Sequence, residues 1–100
     1  MVRHIVLFKL QEFPTPEGKK KAAEIVKAEL LKLKSTIPVI ADFEVGINFN
    51  PDPSAWDLVI NSNFRSKEDL AIYQAHPDHL AFIAFNKSYS EKKAIIDFEF

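Results

Sequence analysis

Along this chain the spacing of apolar residues changes repeatedly, and each change marks an element. Over Val2–Leu10 two alternating faces both have apolar centres: Val2, His4, Val6, Phe8 and Leu10 on one, Arg3, Ile5, Leu7 and Lys9 on the other. A strand apolar on both sides belongs in the middle of a sheet with cover above and below. After the turn Phe13–Pro16 the spacing lengthens to three and four, with Ala22, Val26, Leu30, Leu33 and Ile37 in one stripe and the lysines mostly opposite. This predicts a helix capped by Thr15, opened by Pro16, favoured by Glu17 in its first turn, running to about Ser35 and ended by Pro38. Alternation returns at Phe43, Val45, Ile47 and Phe49 against Asp42, Glu44, Gly46 and Asn48, the pattern of a half-buried strand. The stretch from Asn50 to Ser54 is turn chemistry, and a third strand spans roughly Trp56–Arg65 with Trp56, Leu58, Ile60, Ser62 and Phe64 on one face. Ser66-Lys67-Glu68-Asp69 reads as the start of a second helix that reaches about Tyr89. The chain closes with a strand over Lys93–Phe100, where Ala94, Ile96, Phe98 and Phe100 share a face.

Strand, helix, strand, strand, helix, strand is the order of an α+β, ferredoxin-like βαββαβ domain: one four-stranded antiparallel sheet with two helices on one face. Residues 1–100 form a single domain. Its two crossovers are expected to place the first and last strands near the sheet's middle. The helices cover only one face, yet Ile5 and Leu7, with Ala94, Ile96, Phe98 and Phe100, ask for cover on the other. Either Phe98 and Phe100 belong to a frayed tail, or a second protomer packs sheet to sheet; the size of the apolar patch favours the homodimer.

Composition narrows the function classes. A formal net charge of −1, with Lys19–Lys21 as the one basic run, offers no face for nucleic acid. Arg3 and His4 interrupt the opening apolar run, which argues against a signal peptide, and no apolar run is long enough to span a membrane. With no cysteine there is no disulfide or thiolate chemistry, and the expected setting is the cytoplasm. The two glycines, Gly18 and Gly46, are isolated, so there is no phosphate-cradling loop. Trp56, after the proline-rich turn, reads as a packing anchor.

The unusual chemistry is concentrated in Tyr73–Phe85, YQAHPDHLAFIAF. Pro77 lacks a backbone donor and pushes His76 out of helical geometry. The second helix is therefore expected to stop at Ala75, break at His76 and restart at Pro77, with His76 capping the new start. The break crowds Tyr73, His76 and His79 at one junction, and Leu80, Phe82, Ile83 and Phe85 supply apolar walls. His76 and His79 lack a third ligand nearby, so no metal site is expected. From the residues alone, two readings of Tyr73 and His79 stand: a hydrogen-bonded pair in the core, or an acid–base pair in which a histidine that titrates near neutrality works beside a phenol. His4 reads first as a satisfied core histidine.

The opening VRHIVLFKL, the YQAHPDH segment and the closing AIIDFEF resemble the stress-responsive dimeric α/β-barrel (Dabb) family over essentially the whole chain. The resemblance implies a homodimer whose sheets face each other as a barrel with the helices outside. Many members of that family are described only as stress-induced, and one branch holds a plant polyketide cyclase with a histidine and a tyrosine in an aromatic-lined pocket. Carried over by position, the catalytic pair falls on His79 and Tyr73, and a first-strand pocket histidine falls on His4. A further pocket histidine of the cyclase is Leu58 here, and the aromatic side chains of its first helix give way to Val26 and Leu30. The pocket so implied is lined by His4, Val6, Val26, Leu30, Leu58, Ile60, Phe82 and Ile83, with no cofactor. Three functions are consistent with it: a stress protein binding a small apolar carbonyl compound, a cyclase-like lyase using His79 and Tyr73, and, by fold analogy alone, a cofactor-free monooxygenase.

Overall fold

The elements β1 (Val2–Leu10), α1 (Pro16–Thr36), β2 (Ile40–Ile47), β3 (Leu58–Phe64), α2 (Lys67–Ala75), α3 (Pro77–Asn86) and β4 (Ser90–Glu99) follow one another in the computed structural model, which describes residues 1–100. All strands pair antiparallel in the order β2-β3-β1-β4, the ferredoxin-like plan. β1 is central, as its two apolar faces require. The closing strand is not: β4 lies at the edge and β3 takes the second central place. Each βαβ crossover skips one strand position. The first leaves a gap between β1 and β2 that β3 fills, and the second carries β4 past β1 to the far side.

Capping follows the sequence closely. The Thr15 hydroxyl accepts from the Gly18 N–H at 3.0 Å, and the Ser66 hydroxyl accepts from the Asp69 N–H at 3.1 Å. Helix α1 buries Ala22, Ala23, Val26, Leu30 and Leu33 against the inward residues of the sheet. Strand ends depart from the simple alternation. Ile40 and Phe43 are both buried although three residues apart, because β2 bulges between Ile40 and Asp42 and shifts phase there. Phe49, expected in β2, lies beyond it and is 98% exposed. Side-chain bonds take over the backbone at that point: Asn48 accepts from the Asn50 N–H, Asn50 from that of Asp52, and Asp52 from that of Ser54. The same run of turns trims β3 to Leu58–Phe64.

The sheet's outer face is open. Ile5 stands opposite Ile96, Leu7 opposite Ala94, and Arg3 opposite Phe98. Ile96 is 63% exposed and Phe98 41%. The tail is held rather than frayed: the Phe100 N–H donates to the Met1 carbonyl, and the Arg3 guanidinium sits 4.4 Å from the centre of the Phe100 ring. No helix is long and apolar enough to cross a membrane.

Candidate functional site

The helix break occurs where Pro77 requires it. Helix α2 ends at Ala75, His76 is extended (φ −63°, ψ 137°), and α3 begins at Pro77. In an uninterrupted helix the Asp78 N–H would reach back four residues to the Gln74 carbonyl. Here it donates instead to His76 Nδ1 at 3.0 Å, so His76 caps α3. The freed Gln74 carbonyl is then the partner of His79 Nδ1 at 2.9 Å. A carbonyl only accepts, so Nδ1 carries the hydrogen and Nε2 is left as the bare, basic nitrogen of a neutral ring. Burial lowers the His79 pKa from 6.5; the Gln74 bond raises it, and the charges of His4, Lys93 and His76 add to the lowering. The net effect favours neutral imidazole near pH 7.

Tyr73 packs in an aromatic cage. Its ring centre lies 4.5 Å from His79, 5.1 Å from Phe64, 6.0 Å from His4 and 6.3 Å from Phe43. The residue is 1% exposed, and burial pushes its phenol well above the ordinary tyrosine range. It therefore stays protonated and can serve only as a hydrogen-bond donor or acceptor. No protein group bonds the hydroxyl, yet no sealed side-chain nitrogen or oxygen lacks a partner. The phenol oxygen thus borders the cavity that Tyr73 lines.

That cavity, of about 430 Å³, lies between α2, α3 and the β1–β4 side of the sheet. Its size is ordinary for a small-molecule site. Of the sequence-expected residues, His79, Tyr73, His4, Val6, Ile60, Phe82 and Ile83 meet there. Val26, Leu30 and Leu58 do not; they are buried in the core, because α1 packs over β2 and leaves the β4 side open. Leu80 is no wall either: one position past His79, it turns to solvent. Trp56 is half-buried beside Leu7, Ile47 and Phe49 at the far end of the sheet.

Other residues of the site were not expected. Phe8 and Ile95 add apolar lining, Gln74, Asn86 and Ser90 add polar groups, and Lys87 and Lys93 stand at the mouth. Asp97 is the most consequential. It faces His4 across the β1–β4 pairing and accepts a hydrogen bond from His4 Nδ1, which leaves Nε2 as that ring's free nitrogen. An acid within the mostly apolar AIIDFEF run was the visible signal, since a buried strand histidine opposite it needs a partner. No group of three or more His, Cys, Asp or Glu side chains is arranged to hold a metal ion.

Replacing Pro77 by Ala restores a donor and permits a continuous helix. The Asp78 N–H should then recapture the Gln74 carbonyl and release His79 Nδ1. Stability should change by no more than about 1 kcal/mol, since proline is tolerated at a first helical position. The expected result is loss of the single His79 tautomer in ring-nitrogen NMR spectra; an unchanged tautomer would break the link between helix break and site.

The chain is similar to several known proteins. An Arabidopsis thaliana stress-response A/B barrel domain-containing protein, DABB1, is 30% identical over 97% of this chain, which spans only 46% of that longer protein. An uncharacterised Streptomyces coelicolor protein is 31% identical over the full length of both. The crystal structure of a dimeric, ferredoxin-like protein of unknown function from Bacteroides fragilis superposes with a TM-score of 0.86 at 35% identity, covering 99% of this chain and 95% of that one. A hydroxynitrile lyase from Passiflora edulis has a TM-score of 0.79 at 21% identity, covering 97% and 90%, and so shares the fold alone. The model of the stress responsive A/B barrel domain, Dabb, matches residues 2–100, and the chain belongs to that family.

Proposed function

We propose that this domain works as a cytoplasmic homodimer in which each helix–sheet cavity receives a small apolar carbonyl compound, met by Tyr73 and His79. One observation carries the reading: a cavity with apolar walls is lined by residues with unengaged polar atoms, among them the Tyr73 hydroxyl and His79 Nε2, with His4 Nε2 on the strand beneath. A carbonyl oxygen suits the first as acceptor, and an acidic C–H or O–H suits the second. The homodimer is supported by the open apolar face of the sheet and by the dimeric Bacteroides fragilis relative. Neither the net charge nor any surface feature calls for nucleic acid.

The tautomer of His79 favours a second reading, a lyase or cyclase. A neutral imidazole with Nε2 free is a base for the proton alpha to a carbonyl. As that proton moves to Nε2, the C–H electron pair forms the enolate, and the Tyr73 O–H donates to the oxygen where charge develops. The enolate carbon then bonds to a second carbonyl carbon, whose oxygen recovers the proton from His79. The monooxygenase reading has only the fold behind it and no residue of its own.

Ligand binding is tested with para-butylacetophenone titrated into isotopically labelled protein. Chemical shifts of Tyr73, His79, Phe82 and Ile83 should move together and saturate. Absence of saturable shifts at these residues up to millimolar ligand overturns the reading. The same spectra check the histidine. His79 should be half-protonated below pH 6.5, because its folded pKa lies under that value. The unfolded chain then takes up the proton first as pH falls, so this group costs stability progressively below about pH 6.5.

A further inference from the structure

The cavity is apolar inside and charged at its mouth. Val6, Phe8 and Phe82 form the inner wall, and Lys87 and Lys93 stand where α3 hands the chain to β4. Neither lysine makes an ion pair within the chain, although Glu91, the one carboxylate of the lining, lies between them in sequence. Asp97, nearby on β4, is engaged by His4 and offers them nothing. Lys93 stands opposite Phe8 on β1, so its ammonium sits beside the apolar wall, and its charge is felt at His79. Asn86 and Ser90, bonded to each other at 2.9 Å, complete a polar rim beside the lysines.

Lys92 pairs with Lys9 on the sheet's outer face, which leaves Lys87 and Lys93 as two unpaired cations next to an apolar chamber. We propose that the ligand carries a carboxylate, held by Lys87 and Lys93 at the mouth while its apolar carbonyl-bearing body extends inward to Tyr73 and His79. This assigns a substrate class, organic anions with a compact apolar body, and it rests on reading the cavity as a ligand site. It also assigns an orientation, anion outward and reacting carbon inward. Solvent-exposed contacts of this kind are individually weak, so the selectivity comes from their number. Together two such contacts should favour an acid over its neutral analogue by about fivefold.

Calorimetric titration of the intact protein with para-butylbenzoate, para-butylbenzyl alcohol and para-butylbenzylamine separates body from head group. The benzoate should bind about fivefold more tightly than the alcohol, and the amine most weakly. Raising salt from about 0.05 M to about 0.5 M should erase most of the difference. Lys93→Glu and, separately, Lys87→Glu should each weaken benzoate binding and leave alcohol binding unchanged, which also verifies that the variants are folded. If benzoate and alcohol bind equally, or the charge reversals do not discriminate between them, the carboxylate assignment is wrong while the cavity stands. If none of the three compounds binds, the cavity itself is not a ligand site and both readings fall.

Discussion

Phe98→Asp should turn a dimer into a monomer. The proposed interface is the sheet face carrying Ile5, Leu7, Ile96 and Phe98, which no element of the chain covers. Interfaces that complete a core bury roughly 2,000 Å² or more and are strongly apolar. A carboxylate at position 98 would be buried without a partner, at a cost on the order of 3 kcal/mol. In a two-fold interface the substitution occurs twice, so dimerisation should weaken by roughly ten-thousandfold. Arg3 is the one cation close to that position, and it is already shared between Asn63 and the rings of Phe98 and Phe100. Sedimentation should therefore show the native protein as a dimer at micromolar concentration and the variant as a monomer with unchanged helix content. A native monomer at that concentration would remove the dimer, and with it the reason for this apolar face.

Element type and order were legible because period and capping agree along most of the chain. Thr15, Ser66 and Pro77 each announce a helix start by local chemistry, and local chemistry survives folding. The place of β4 was not legible from its residues. A central place was expected from the two crossovers; the apolar face of Ala94, Ile96 and Phe98 reports burial or an interface without saying which, and β4 owes that outer face to the interface proposed here. The reach of β2 failed for a different reason: Asn48, Asn50 and Asp52 compete for backbone donors, so alternation runs on in the sequence after the ladder has ended.

The site was legible where it depends on the helix break and illegible where it depends on sheet register. Tyr73, His76 and His79 lie within seven residues, and the proline between them dictates their meeting. Val26, Leu30 and Leu58 were assigned to a pocket they do not reach, since sequence gives the inward face of an element but not which part of the inward layer stays unfilled. Asp97 is 93 positions from His4. Only the pairing of β1 with β4 brings them together, and that pairing is a property of topology rather than of spacing.

His79→Ala and Tyr73→Phe should each lower turnover of a cyclisable polyketo compound by roughly a hundredfold to ten-thousandfold, the usual worth of one acid–base group. Both changes leave the sheet's outer face untouched, so the variants should sediment as the native protein does. The two should differ in kind. Removing His79 takes away the base, so kcat and kcat/KM should fall together. Tyr73→Phe keeps the ring in its cage of Phe43, Phe64, His4 and His79 and removes only the hydroxyl, so stability should be retained while enolate stabilisation is lost. The pH profile gives an independent check. Burial holds the His79 pKa under 6.5, so the base is neutral and competent from there upward. On lowering pH, kcat/KM should stay level through pH 6.5 and drop only as pH passes the depressed His79 value, with no matching limb from Tyr73, whose phenol is raised. An acid limb centred at or above pH 6.5 would assign the base elsewhere. Native-like turnover by both variants would leave His79 and Tyr73 as ligand-holding groups without chemistry of their own.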